Sequence, residues 1–248
     1  LIDCEYSNEE FEDAFGIKED KVEDWPLFFK ERFGYYIHND ALYDLSVDNM
    51  KHLVKTKMNL GSEGNISIKS ENGFLIPKSG LKPCNMKIDD ITFIDSNGHF
   101  SKSEKPSTEW KMHHYIYKER TEVSAIVHCH SMWASILSCL RINIPAFHYM
   151  VSEMGGIDIK CSKYATFGTS KLAKNIVLAI KDRNGCLISN HGQVTIGYNI
   201  EQAIHLAFAL EKLAKQFYFC LLSKKNKLLS KKEITESLQL FSSYKPTH

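Results

Sequence analysis

Residues 65 to 98 constrain the chain more than any other stretch. Ile66 and Ile68 alternate with polar residues, Glu71-Asn72-Gly73 interrupts them, and Phe74-Leu75-Ile76 follows, the pattern of two strands around an Asn-Gly hairpin turn. A third strand-like run, Ile91 to Asp95, ends at Asn97-Gly98. Connections this short predict antiparallel pairing, because a parallel pair needs a long crossover. Whatever else the chain contains must pack on an antiparallel sheet.

The remaining segments alternate helix with strand. Met50, Leu53, Val54 and Met58 recur at helical spacing until Gly61-Ser62-Glu63-Gly64 stops them. Pro106-Ser107-Thr108-Glu109 opens a second helix, with Ser107 or Thr108 as N-cap and Trp110, His113, His114, Ile116 and Tyr117 on a face at three-to-four-residue spacing. Ala125-Ile126-Val127 is a strand that runs into His128-Cys129-His130, and Met132 to Leu140 is a short apolar helix. Amphipathic helices follow over residues 170–182 and 199–223, the second starting on Asn199 with Gln202 three positions on. Between them Cys186-Leu187-Ile188-Ser189 reads as a buried strand leading into Asn190-His191-Gly192. The expected fold is α/β, a single-domain α/β/α sandwich with a central, largely antiparallel sheet, and 248 residues suffice for one such core.

Lys and Arg total 31 against 30 Asp and Glu, so the net charge is +1 and no bulk field exists to hold nucleic acid or an anionic membrane. No apolar run reaches the roughly 18 residues of a membrane helix, and the first residues lack the basic and apolar regions of a secretory signal. The seven cysteines, Cys4, Cys84, Cys129, Cys139, Cys161, Cys186 and Cys220, form no CxxC pair and read as reduced, mostly buried thiols. A cytoplasmic location is expected. Ten acidic residues lie between Asp3 and Asp24 against only Lys18 and Lys21, so residues 1–36 are expected to form an acidic extension outside a folded domain of residues 37–248.

The unusual count is 11 histidines. His128 and His130 are two apart, and strand geometry points both imidazoles to one face while Cys129 points to the other. Taken alone, HxH is as readily incidental as metal-binding. His191 shifts that balance, since it ends another apolar strand beside Gly192, where a backbone can approach a site closely. Three neutral imidazoles leave one position of a tetrahedral ion open, the arrangement of a catalytic zinc. Glu109 is the candidate carboxylate, with plain helix capping as the competing reading. Gly64-Asn65-Ile66-Ser67 and Lys78-Ser79-Gly80 offer amides and hydroxyls to a phosphate, although Asn and Gly are also ordinary turn residues.

Gly64-Asn65-Ile66-Ser67, Pro77-Lys78-Ser79-Gly80, Pro106-Ser107-Thr108-Glu109-Trp110, Val127-His128-Cys129-His130, Ile144 to Met150, Tyr164 to Thr169 and Asn190-His191-Gly192 together resemble the class II aldolase/adducin family. The resemblance runs from about residue 37 to the C-terminus. It implies that His128, His130 and His191 are zinc ligands and that Glu109 completes the resting metal shell, then acts as acid and base. It implies a phosphate cradle of Asn65, Ser79, Gly80, Ser107 and Thr108. By the same resemblance Tyr149 serves the aldehyde end from a neighbouring subunit, Phe167 lines the site, and Tyr244 matches a C-terminal tyrosine that closes over the aldehyde. Two positions depart from the pattern: Thr108 stands where Ser is usual, and Lys78 replaces a small residue, either to help hold phosphate or to point into solvent.

The implied activity is zinc-dependent cleavage of a small phosphorylated sugar, a ketose 1-phosphate, to dihydroxyacetone phosphate and an aldehyde. The pattern is nearest to family members that take L-fuculose 1-phosphate and release L-lactaldehyde. The same site also suits pentulose-phosphate 4-epimerisation or methylthioribulose-1-phosphate dehydration. A non-catalytic adducin-like interaction domain is the alternative of another class. The family implies a homotetramer with active sites at subunit interfaces. No chemical role is assigned to His148, beside Tyr149, and the other histidines, His113 among them, are expected at surface or packing positions.

Overall fold

The Asn-Gly turn forms as the sequence predicts: β1 (Asn65–Ser70) pairs antiparallel with β2 (Gly73–Pro77), Ser70 standing opposite Gly73. The computed structural model describes residues 42–243. The expected acidic extension and Tyr244 lie outside the described residues. A helix, α1, occupies residues 42–55 and leads into β1. After β2 come β3 (Ile91–Asp95), α2 (Trp110–Glu119), β4 (Ala125–Cys129) and α3 (Met132–Leu140). Then follow α4 (Ser170–Ala179), β5 (Gly185–Ile188), β6 (Gly192–Gly197), α5 (Ile200–Ser223) and α6 (Lys231–Ser243).

The strands form one six-stranded sheet in the order β3-β2-β1-β4-β6-β5, and every neighbouring pair is antiparallel. Strand alternation divides the core. Phe74, Ile76, Ile94, Ile126, Cys186, Ile188, Val194 and Ile196 pack on one face beneath Met112 and Ile116 of α2 and Leu172 and Ile176 of α4. Ile66, Ile68, Leu75, Val127 and Cys129 face the other way, against Val47, Met50 and Leu53 of α1 and Ala203 and Ala207 of α5. Each fully buried Ile or Leu removes enough apolar surface to stabilise the fold by about 1.5–3 kcal/mol. Beyond this second face, α3, α5 and α6 share a further cluster around Leu137, Leu210 and Phe217. The α/β/α sandwich is therefore the fold observed.

Three local expectations are corrected. The helix at Glu109 starts one or two residues later than predicted, with Glu109 itself at the N-cap of α2 in place of Thr108 or Ser107. His130 lies just beyond the end of β4 instead of inside a strand. Of the described cysteines, all free, Cys129 and Cys186 are buried, whereas Cys84 and Cys139 are exposed, so the thiols are not mostly buried. Among the described residues no helix is long and apolar enough to cross a membrane.

Candidate active site

At the end of the central strands four side chains converge. One ligand atom from each of Glu109, His128, His130 and His191 lies within 4.8 Å of all the others. His128 comes from β4, on the same face as Ile126, and His130 follows just past the end of the strand, its ring centroid 4.8 Å from that of His128. His191 sits in the turn between β5 and β6. That turn needs its neighbours. Asn190 adopts a left-handed backbone (φ 53°), which Asn tolerates better than most residues, and its Oδ1 accepts from Arg141 Nε at 2.6 Å. The His191 amide donates to the Ile188 carbonyl at 3.0 Å and to Ser138 Oγ at 3.1 Å.

Gly192 meets the requirement for close approach directly, because a Cβ there would overlap the Cys129 carbonyl oxygen. Gly192→Ala is expected to force β6 from β4 at the point where His191 meets His130. Overpacking of this kind costs about 1–3 kcal/mol. Thermal unfolding should show the loss of stability and zinc competition a weakened site; a variant equal to the wild type in both would contradict this account.

The donor set suits a metal. His128 is fully buried, and its Nδ1–H donates to the Gln193 carbonyl at 2.7 Å, which leaves Nε2 as the free nitrogen. That Nε2 stands 2.9 Å from Glu109 Oε2 and 3.1 Å from His130 Nε2. Glu109 Oε1, 3.4 Å from His191 Nε2, is buried and has no hydrogen-bond partner among the described residues. Burial pushes the Glu109 carboxyl up, but the charge and hydrogen bond of His128, with His191 and His130 behind them, outweigh it and hold the group well below the usual carboxylate range. Burial lowers His130 to about 3 and His191 to about 4, so both are neutral lone-pair donors. In His128 burial also acts downward, but the Glu109 carboxylate overcomes it and raises the group. Imidazole nitrogens with one carboxylate oxygen fit zinc in type and number.

A cleft of about 520 Å³ opens over this centre, lined among others by Asn65, Ser79, Gly80, Ser107, Thr108, Glu109 and Phe167 with His130 and His191. An antiparallel bridge between Lys78 and Pro106 holds the 77–80 and 105–109 segments side by side. Gly80 takes a left-handed backbone (φ 77°), and Gly168 (φ 71°) lets its loop lie against the Thr108 carbonyl, which places Phe167 on the rim, largely exposed. Lys78 does not offer its ammonium to the cleft: Nζ donates to the Asp89 carbonyl at 2.6 Å and pairs with Glu104 at 3.5 Å. Asn65 is directed inward, its amide nitrogen donating to Ser107 Oγ at 3.1 Å and to Glu109 Oε2 at 3.4 Å.

Tyr149 is not brought to this cleft within the described chain. It stacks with His148 and with Phe241 and lines a separate hollow with Ser237, Leu240 and Phe241. Two residues emerge that the sequence reading passed over: Gln193, whose carbonyl orients His128, and His113, which holds Asn65. A signal for His113 was present, since Glu109, His113 and Tyr117 fall at four-residue intervals on one helix face.

A buried carboxylate among three imidazoles, under a polar cleft and on an antiparallel α/β/α sandwich, is a donor set that could hold a metal ion. The family described as Class II Aldolase and Adducin N-terminal domain matches residues 46–218. The chain is 39% identical over 198 residues to the 5-methylthioribulose-1-phosphate/5-deoxyribulose-1-phosphate aldolase of Rhodospirillum rubrum, spanning 80% of this chain and 90% of that protein. It is 35% identical over 199 residues to the L-fuculose phosphate aldolase of Escherichia coli K12, spanning 80% and 93%. Among solved structures, an L-fuculose 1-phosphate aldolase superposes with a TM-score of 0.78 at 31% identity, over 82% of this chain and 96% of that one. The chain belongs to the class II aldolase and adducin family, and its activity is that of a carbon–carbon lyase.

Proposed function

We propose that the chain is a zinc-dependent aldolase that reversibly cleaves L-fuculose 1-phosphate to dihydroxyacetone phosphate and L-lactaldehyde. The observation that carries this reading is the Glu109 carboxylate, 2.9 Å from His128 in a cluster with His130 and His191 at the floor of the cleft. A zinc ion held by His128, His130 and His191 would supply Lewis-acid stabilisation of the negative charge left when the C3–C4 bond breaks, a contribution of several kcal/mol. Glu109 moves the proton at the carbon of the three-carbon fragment. Ser79, Gly80, Ser107 and Thr108 line one end of the cleft as hydroxyl and backbone donors for the phosphate, which fixes one face of the substrate toward Glu109. Tyr149 serves the aldehyde oxygen of a neighbouring subunit in a homotetramer, a role supported by its half-exposed position outside its own chain's cleft.

The 39% identity to the Rhodospirillum rubrum aldolase favours a second reading, cleavage of 5-deoxyribulose 1-phosphate or 5-methylthioribulose 1-phosphate by the same residues. All these substrates share the ketose 1-phosphate end and differ at the far end. Assaying each for dihydroxyacetone phosphate release separates them. Release from L-fuculose 1-phosphate at the highest kcat/KM, lost with a chelator and restored by zinc, is the expected result. Preferred release from a pentulose phosphate establishes the second reading, and epimerised or dehydrated product without dihydroxyacetone phosphate overturns both.

A further inference from the structure

Behind Glu109 runs a chain of buried polar groups that no step above uses. Tyr117 OH lies 2.9 Å from Ser67 Oγ, Ser67 Oγ 2.6 Å from His113 Nδ1, and His113 Nε2 2.5 Å from Asn65 Oδ1. Asn65 in turn reaches Ser107 Oγ and Glu109 Oε2. His113 and Ser67 are fully buried, and Asn65 nearly so. The chain arises where two periodicities cross: Asn65 and Ser67 alternate on the α2 side of β1, while Glu109, His113 and Tyr117 repeat every four residues along the start and face of α2.

Its direction is forced from the active-site end. The Glu109 carboxylate only accepts, so the Asn65 amide must present its NH2 there and its Oδ1 to His113. His113 Nε2 must then carry the hydrogen. Burial, helped by the neighbouring His128, lowers His113 to about 3, so the ring is neutral and Nδ1 is left as an acceptor. Ser67 O–H therefore donates to Nδ1, and Ser67 Oγ accepts from the Tyr117 phenol, which burial keeps protonated. Every donor points toward Glu109. This is the Nε2–H tautomer, opposite to that of His128, whose Nδ1–H faces Gln193.

We propose that His113 is a positioning residue: its Nε2–H locks the Asn65 carboxamide in the one orientation that hydrogen-bonds the Glu109 carboxylate, and Ser67 with Tyr117 fixes its tautomer. Without that donor the amide is free to turn its oxygen toward Glu109, where two acceptors repel and the carboxylate loses its placement beside the imidazoles. The role rests on the reading that Glu109 moves the proton.

Two measurements test it. Nitrogen NMR of the histidine-labelled wild-type protein should show His113 with a protonated Nε2 and a bare Nδ1, and Ser67→Ala should erode that preference. His113→Leu should lower kcat/KM roughly 10- to 100-fold and weaken zinc binding in a chelator competition, the usual range for a group one step removed from a metal site. His113→Gln, whose amide can still donate to Asn65, should recover most of both at a melting temperature no higher than that of His113→Leu. The proposal is overturned by an Nδ1–H tautomer in the wild type, or by a His113→Leu protein with wild-type zinc affinity and kcat/KM. If the wild type cleaves none of the ketose phosphates above, the proposed activity fails, while the tautomer and the zinc affinities still decide the role of His113.

Discussion

Glu109→Gln is expected to bind zinc and to lose turnover by roughly 10²- to 10⁴-fold, the usual worth of a positioned general acid–base group. The amide has nearly the shape of the carboxylate, so the packing of a residue only 7% exposed should survive. The three imidazoles remain, and with them the nitrogen donors for the metal. What disappears is the group proposed to take up and return a proton, together with the negative charge that His128 and His191 face at 2.9 and 3.4 Å. The substitution should therefore act on kcat far more than on zinc content. Elemental analysis alongside a dihydroxyacetone phosphate assay checks it; unchanged turnover at full zinc occupancy would remove Glu109 from the reaction.

The site's legibility followed the range of its contacts. His128 and His130 were readable because their two-residue spacing is local, and the β1–β2 pairing was readable from its short Asn-Gly connection, whereas β2 and β3 pair across the longer loop from Lys78 to Asp90. The partners of those histidines were not. Gln193 orients His128 only because β6 lies beside β4, and Asn65 stands opposite His128 only because β1 is the other neighbour of β4. Both pairings join segments far apart in the chain, and nothing in either segment's own pattern names its neighbour. His113 illustrates the same limit. Its helix face was visible in the sequence, but the Ser67 and Asn65 it meets lie across a strand–helix contact of more than 40 residues' separation. The start of α2 differs from the expected Ser107 or Thr108 cap for a different reason: Ser107 Oγ accepts hydrogen bonds from Asn65 and from the Glu109 amide, one residue ahead of the helix.

His128→Ala is expected to abolish both zinc binding and cleavage, and to destabilise the fold as well. Three consequences follow from one deletion. A bound metal would lose a proposed ligand whose tautomer is fixed by the 2.7 Å hydrogen bond to Gln193. The Gln193 carbonyl loses that donor. Glu109 loses its nearest charge partner while remaining buried, and breaking one side of a buried pair costs about 3–5 kcal/mol. Part of that cost is relieved if Glu109 takes up a proton, which would neutralise the proposed acid–base group. Loss of several kcal/mol of Lewis-acid stabilisation, at tenfold per roughly 1.4 kcal/mol, corresponds to at least about a thousandfold in rate. Adding zinc should therefore not rescue His128→Ala, although it should rescue chelator-treated wild type and should remain bound to Glu109→Gln. Purified His128→Ala with full zinc content would show that the remaining imidazoles and Glu109 suffice to hold the ion, and would take His128 out of the ligand set.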